Sequence, residues 1–509
     1  MRETRNNSRA GGLRKVGSLS LRESSVVAND RAEFGLILEG AEWRVAVLAP
    51  SDPALAWGFS GESRRCGDRT LLVGPTSTEN AAALRGRLPA LRPEPLGLAT
   101  SAGFGDRLGL ATPGHARSLR AAGGEIAPIF AQQSIREMER TGRSPQQVMD
   151  DATWGAFAEG WRGRLGADAD HLKTFEHIDA CLEAGYTFFT FDPGDHVDDS
   201  AESARAWRVS EAVESLPWRE LEDSVSNLRE RYLRNTFETE GERLSFDEES
   251  LYRAAAKYGR AIAHAVRMYR HLQRQSLDGA VEVEVSVDET ESPTTALQHL
   301  YIATELKRLG VRWVSLAPRY VGTFEKGVDY IGDPKVFESD LARHSAIARA
   351  LGPYKLSLHS GSDKFSIYEA AARQTRGMVH LKTAGTSYLE ALKTVAAADA
   401  ALFREIYAFS RDRFEEDRAS YHVSASLQAA PRPEEIEDGE LAALVDQFDA
   451  REILHVTFGS VLGDSAREHY LRERLLESIG YNENAYAAGL ESHFQRHLRP
   501  FVPYSQNAE

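Results

Sequence analysis

The stretch VEVEVSVDETESPTTALQHLYIATELKRLG, residues 281–310, reads as one strand followed by one helix. Side chains alternate along a strand, so Val281, Val283, Val285 and Val287 share a face suited to a hydrophobic layer. Glu282, Glu284, Ser286 and Asp288 share the opposite face. An ionised carboxylate turned toward an interior is costly unless a metal, a cation or a set of donors compensates it. This strand therefore reads as the wall of a site. Ser292-Pro293 then starts a helix carrying Leu300, Ala303 and Leu306, and Gly310 ends it.

The same strand–helix rhythm runs on both sides of this unit. Candidate strands are DRLGLAT (106–112), IAPIFAQQS (126–134), GRLGADA (163–169), YTFFTFD (186–192), VEVEVSV (281–287), RWVSLAP (312–318), KLSLHS (355–360) and MVHLKT (378–383). Helical stretches fall between most of them, which favours a parallel sheet and a closed (β/α)8 TIM-like barrel over residues 103–392. The gap from Asp192 to Val281 far exceeds an ordinary βα crossover. It holds a strongly helical insertion (200–278), expected as a lid over the mouth or a homo-oligomer contact. Residues 26–102 read as a small α/β leader and residues 393–509 as a mainly helical extension. Within that extension ILHVTFGSVL (453–462) fits either a strand or a buried helix.

Composition excludes several classes. Net charge is −15, with no basic stripe of the kind a nucleic-acid surface needs. Cys66 and Cys181 are the only cysteines, so neither a disulfide scaffold nor a multi-cysteine zinc site exists. The chain has no apolar run long enough for a membrane span. Residues 1–25 are basic and serine-rich without a signal-peptide core, and are expected as a disordered tail on a cytoplasmic protein. GFGDRLG (103–109) departs from the GxGxxG spacing, and neither a P-loop nor a GxSxG elbow is present.

Polar groups gather where the strands end. Asp170-His171 follow the third strand, as either a helix cap or a site pair, and Asp192, Asp195 and His196 follow the fourth. Glu284, Asp288 and Glu289 belong to the fifth, and Arg319, Glu325, Lys326 and Asp329 follow the sixth. Lys355, Ser357 and His359 share a phase on the seventh, with Asp363 and Lys364 beyond; His380 and Lys382 share one on the eighth. Mixed imidazoles and carboxylates suit a divalent cation such as Zn, Mn, Ni or Co, and adjacent Lys and Arg suit an anionic substrate. His115 and His299 read as structural.

At these residues the chain resembles the tagaturonate epimerase family. The resemblance rests on GFGDRLGLATPGH (103–115), ADHLK (169–173), VEVSVDET (283–290), VSLAPRYVGTFEKGVDYIGD (314–333), KLSLHSGSDKFSIY (355–368), HLKTAGTSYLEAL (380–392) and LHVTFGSVL (454–462). It implies an epimerase that depends on a divalent metal and interconverts D-tagaturonate and D-fructuronate in hexuronate catabolism. By position in the motifs, Asp170 would be the proton acceptor and Glu284 its partner acid. His171 and His359 would ligate the metal, with His380 or Glu325 as a further ligand and His380 preferred on chemical grounds. Arg319, Lys364, Lys382 and Asp288 are the expected substrate contacts.

In such a ketouronate the inverted carbon is one position removed from the ketone, so its C–H is not acidified by enolisation. Retro-aldol cleavage and re-addition is the expected route, with the ion stabilising the enediolate. The alternatives are a metal-dependent ketose isomerase or 3-epimerase acting through an enediolate, or a non-catalytic sugar-acid binding protein.

Overall fold

Eight parallel strands close on themselves in the computed structural model, which describes residues 12–16, 19–40, 42–276, 280–359, 363–463 and 470–507. They are β1 (Ser101–Gly105), β2 (Ala127–Ser134), β3 (Gly166–Leu172), β4 (Phe188–Phe191), β5 (Glu282–Ser286), β6 (Ser315–Ala317), β7 (Lys355–Leu358) and β8 (Val379–Lys382). β8 pairs with β1 and β4 with β5, so the ring has no free edge. The alternation of β5 works as its sequence requires. Val283 and Val285 join the hydrophobic core, while Glu284 is fully buried inside the ring. Glu282, at the other end of the strand, accepts from the backbone N–H groups of Leu96 (2.8 Å) and Gly97 (2.5 Å).

The surrounding helices are α1 (Thr112–Ala122), α2 (Pro145–Ala158), α3 (Phe175–Glu183), α4 (Glu248–Gln275), α5 (Ala296–Arg308), α6 (Pro334–Leu351), α7 (Phe365–Thr375) and α8 (Thr386–Ala398). α4 packs between α3 and α5, which is the position of the fourth barrel helix. The long insertion therefore contains a regular barrel element. Among its described residues, 200–276, none lines the two clefts at the mouth described below.

Local corrections follow from backbone chemistry. The first strand precedes DRLGLAT: it is SAGFG, poor in branched residues because a Cβ on Gly103 would stand 2.8 Å from Gln132 and one on Gly105 2.6 Å from Ala384. DRLGL instead folds as a turn on the Asp106 carboxylate, which accepts from the N–H groups of Leu108, Gly109 and Ala111. β3 starts later than GRLGADA and runs on through Asp170-His171, so that pair caps nothing; Thr174 caps α3. α5 is capped by Thr295 with Gln298 in a capping box, three residues beyond Ser292.

Ahead of the barrel lies an antiparallel sheet in the order Ser20–Ala28, Glu33–Glu39, Glu42–Ala49, Arg69–Pro75, Glu62–Cys66. Its first strand begins inside the segment expected to be a disordered tail, which is corrected from Ser20 onward; residues 1–11, 17 and 18 lie outside the described residues. Behind the barrel come α9 (Ala400–Asp417), α10 (Phe448–Val456), α11 (Phe458–Leu462), α12 (Leu471–Tyr481) and α13 (Glu483–Leu498). ILHVTFGSVL is thus helical, split between α10 and α11 and buried for most of its length. Among the described residues no helix is long and apolar enough to cross a membrane.

Candidate active site

Period-2 alternation on β3, β4, β5, β7 and β8 turns a column of polar side chains into the barrel. Lys382 on β8 lies at their centre. Its ammonium group meets Thr190 Oγ1 at 2.6 Å, Asp170 Oδ1 at 2.7 Å, Asp168 Oδ2 at 2.9 Å and Glu284 Oε1 at 3.0 Å. Burial penalises that charge, but the three carboxylates outweigh it and hold Lys382 far above the usual lysine range. Below it, Lys355 donates to Ser101 Oγ at 3.0 Å, and the Phe188 ring lies within 6 Å of both ammonium groups.

Above Lys382, at the C-terminal ends of the strands, two imidazoles converge. His171 Nδ1 faces Asp192 Oδ2 at 3.2 Å, and His359 Nε2 faces Glu284 Oε1 at 2.5 Å. These carboxylates occupy the far nitrogens and leave His171 Nε2 and His359 Nδ1 pointing at one another, 3.2 Å apart. Asp288 Oδ1 lies 3.2 Å from the same His359 nitrogen and Asp170 Oδ1 3.8 Å from the same His171 nitrogen. His171 reaches this position with φ of 53°, a left-handed residue at a register shift between β3 and β4. Gln132 on β2 donates to Asp170 Oδ2 at 3.0 Å.

The electrostatics are those of a site that demands positive charge. Burial pushes the His171 imidazole down, yet Asp170, Asp192 and Glu289 prevail and raise it to about 10. Burial also opposes His359, which Asp288 and Glu284 carry up to about 9 against the charge of Lys382. Burial disfavours the Asp170, Glu284 and Asp288 carboxylates, but the neighbouring cations hold all three well below the usual carboxylate range.

A divalent cation fits this donor set. Two imidazole nitrogens aim at one point, each ring is fixed by a carboxylate on its other nitrogen, and Asp170 and Asp288 stand beside them. Glu284 Oε2, fully buried, has no hydrogen-bond partner among the described residues.

Not every residue singled out in the sequence arrives here. His380 lies a layer deeper, with Nδ1 on Ser101 Oγ at 2.9 Å and Nε2 3.5 Å from Asp168, because strand phase fixes the side of a residue and not its depth. Glu325 turns away from the mouth and accepts from Ser424 N–H (3.1 Å) and Oγ (2.7 Å). Lys364 is buried and donates to the carbonyl oxygens of Glu325 (2.8 Å) and Val328 (2.5 Å). Lys382 borders the site, but its four acceptors make it an anchor for Asp170 and Glu284. His115 bonds Ser387, and His299 bonds His344 and Tyr354, both in the structural roles expected.

The cleft outside the cluster holds about 190 Å³ and is lined by Asp288, Arg319, Lys326, His359, Tyr421 and His422 among others. A smaller recess of about 40 Å³ runs past Asp170, His171, His359 and Lys382 to His455. The Arg319 guanidinium bonds only the carbonyl oxygen of Tyr320 (3.1 Å) and has no carboxylate within ion-pair distance among the described residues. Sequence reasoning missed Asp168, Gln132, Tyr421, His422 and His455. Asp168 shares the phase of Asp170 and was legible; Tyr421 and His422 occupy a C-terminal loop whose direction no periodicity encodes.

A (β/α)8 barrel with acids, imidazoles and a buried lysine at the C-terminal strand ends is built as an enzyme. The family model for tagaturonate epimerase matches residues 23–501. A tagaturonate/fructuronate epimerase from Thermotoga maritima is 46% identical over 476 residues, covering 94% of this chain and 95% of that protein. The native crystal structure of the fructuronate-tagaturonate epimerase from Cohnella laeviribosi, 35% identical, superposes with a TM-score of 0.89 and covers 97% of this chain and 99% of that one. A glycerol-complexed structure of the same enzyme gives 0.88 over 95% and 97%. The chain belongs to the tagaturonate epimerase family, and its class is that of the carbohydrate epimerases, a group of isomerases.

Proposed function

We propose that this enzyme interconverts D-tagaturonate and D-fructuronate, with a divalent cation bound at His171 and His359, by cleaving and re-forming the bond next to the inverting carbon. The observation that carries the reading is the convergence of Asp170, His171, Glu284 and His359 at one end of the barrel, in a chain of this family. Asp288, 3.2 Å from His359 Nδ1, is the adjoining carboxylate that would add to the ligand set. When bound, the ion supplies Lewis acidity at the ketone oxygen.

The remaining steps belong to the chain's own side chains. Asp170 takes the hydroxyl proton from the inverting carbon, and the electron pair of that O–H becomes the aldehyde C=O as the adjacent C–C bond breaks. The bond's electrons pass into the ketone-bearing fragment. Lys382 keeps Asp170 ionised and oriented. Arg319, whose guanidinium has no carboxylate within ion-pair distance among the described residues, binds the substrate carboxylate on the aldehyde fragment. Rotation of that aldehyde and re-addition from its other face inverts the centre, and Asp170 returns the proton. Tyr421 and His422 border the cleft and help keep both fragments in place.

The test is turnover in D2O followed by mass analysis of product. Retro-aldol chemistry leaves the C–H at the inverting carbon unexchanged and yields three-carbon fragments on chemical trapping. Stoichiometric deuterium at that carbon refutes this route.

A further inference from the structure

His455 on α10 reaches the recess beside Asp170 from the C-terminal extension, and the chemistry above leaves it unused. The ring is 1% exposed, and neither of its nitrogens has a hydrogen-bond partner among the described residues. Buried polar groups are paired in the great majority of cases, so one left idle on both nitrogens points to a partner that arrives later.

The surrounding backbone is shaped around this ring. A Cβ on Gly385 would stand 2.2 Å from His455 Nε2, and one on Gly327 2.9 Å from its Cδ2. Both glycines have positive φ, 92° and 79°. Arg107 holds the His455 carbonyl oxygen at 3.2 Å. Four of the sequence motifs, GFGDRLGLATPGH, VSLAPRYVGTFEKGVDYIGD, HLKTAGTSYLEAL and LHVTFGSVL, thus meet at one residue, two of them against its ring. That is a built position, and the residue lines the same small recess as Asp170, His171, His359 and Lys382.

Burial, with Arg107, Lys326 and Arg451 nearby, keeps the imidazole neutral, outweighing Asp363. A neutral imidazole offers one N–H donor and one lone pair. That pair of functions complements a hydroxyl, which donates and accepts, better than a carboxylate, which only accepts.

We propose that His455 is a substrate-contacting residue, hydrogen-bonded to a hydroxyl of the sugar acid held over Asp170. The proposal rests on the sugar-acid reading above and adds a helix of the C-terminal extension to the loop residues Tyr421 and His422 already at the cleft.

The experiment compares wild type, His455→Phe and His455→Asn as full-length, metal-loaded enzyme, measuring kcat/KM on D-tagaturonate, metal content and the denaturation midpoint. His455→Phe is expected to lower kcat/KM by about tenfold or more while metal content and midpoint hold or the midpoint rises, because no unpaired nitrogen remains. His455→Asn keeps one donor and one acceptor and is expected to retain more activity than the Phe variant. An active wild type with an unaffected His455→Phe overturns this proposal alone. So does a loss of activity matched by loss of metal or of stability, with Asn no better than Phe. A wild type inert toward both D-tagaturonate and D-fructuronate overturns the functional reading and the proposal together.

Discussion

Two clusters in this molecule have the same composition and different chemistry. Asp170, His171 and His359 meet at the barrel mouth; Asp363, His493 and His497 meet where α13 packs against the segment before α7. In the second cluster each ligand-type atom already has a protein partner. His493 Nε2 meets Asp363 Oδ1 at 2.7 Å and its Nδ1 lies 3.3 Å from Glu390. His497 Nε2 accepts the Asp363 N–H at 3.0 Å, and Arg451 takes the other Asp363 oxygen. At the mouth, by contrast, His171 Nε2 and His359 Nδ1 face each other at 3.2 Å, the Ser286 hydroxyl lies 3.3 Å from the latter, and Glu284 Oε2 has no hydrogen-bond partner among the described residues. Ligand-type residues in proximity do not make a metal site. What sets the mouth apart is two imidazole nitrogens turned toward each other, with a carboxylate beside each.

The sharpest way to break this contrast is His359→Ala. Turnover is expected to fall by roughly 10²–10³ or more, with loss of bound divalent metal, while the fold persists. Retention of metal by that variant, measured by elemental analysis, would remove the ligand assignment. The matching change in the other cluster, Asp363→Ala, strands the buried Arg451 and is expected to cost about 3 kcal/mol or more in unfolding free energy. Metal per chain should stay at the wild-type value, and a drop there would make the second cluster a metal site too.

Asp192→Asn tests the support behind His171 and is expected to weaken metal affinity by about 10–100-fold, read by competition with a chelator. The smallest effect is a pH dependence. Glu452 is pushed from its ordinary 4.5 up to about 8 by burial and by the neighbouring Glu325. The folded chain therefore keeps a proton that the unfolded chain releases, and stability falls as pH rises from about 4.5 to about 8. Glu452→Gln is expected to flatten that dependence between denaturation curves taken at pH 5 and pH 8; an unchanged dependence would exclude proton retention by Glu452.

The barrel was legible because valine alternates with acid on β5 and apolar runs recur between helices. The phases of Glu284, His359 and Lys382 followed from period 2 alone. Three things were not legible. Depth was hidden, so His380 seemed equivalent to Lys382 although it lies a layer lower. Side-chain direction in loops was hidden, so Glu325 and Lys364 were counted with the site when both turn into structural hydrogen bonds. β1 was masked by its own glycines, which the close approach of Gln132 and Ala384 requires.

Lys382 stands on the last strand of the ring, while Asp168 and Asp170, Thr190 and Glu284 stand on the third, fourth and fifth. Until β8 docks, the carboxylates inside the ring lack their main counter-charge. A ring lacking its eighth strand would bury those carboxylates without the lysine that meets all three. Closing the ring and neutralising its interior thus fall to the same strand.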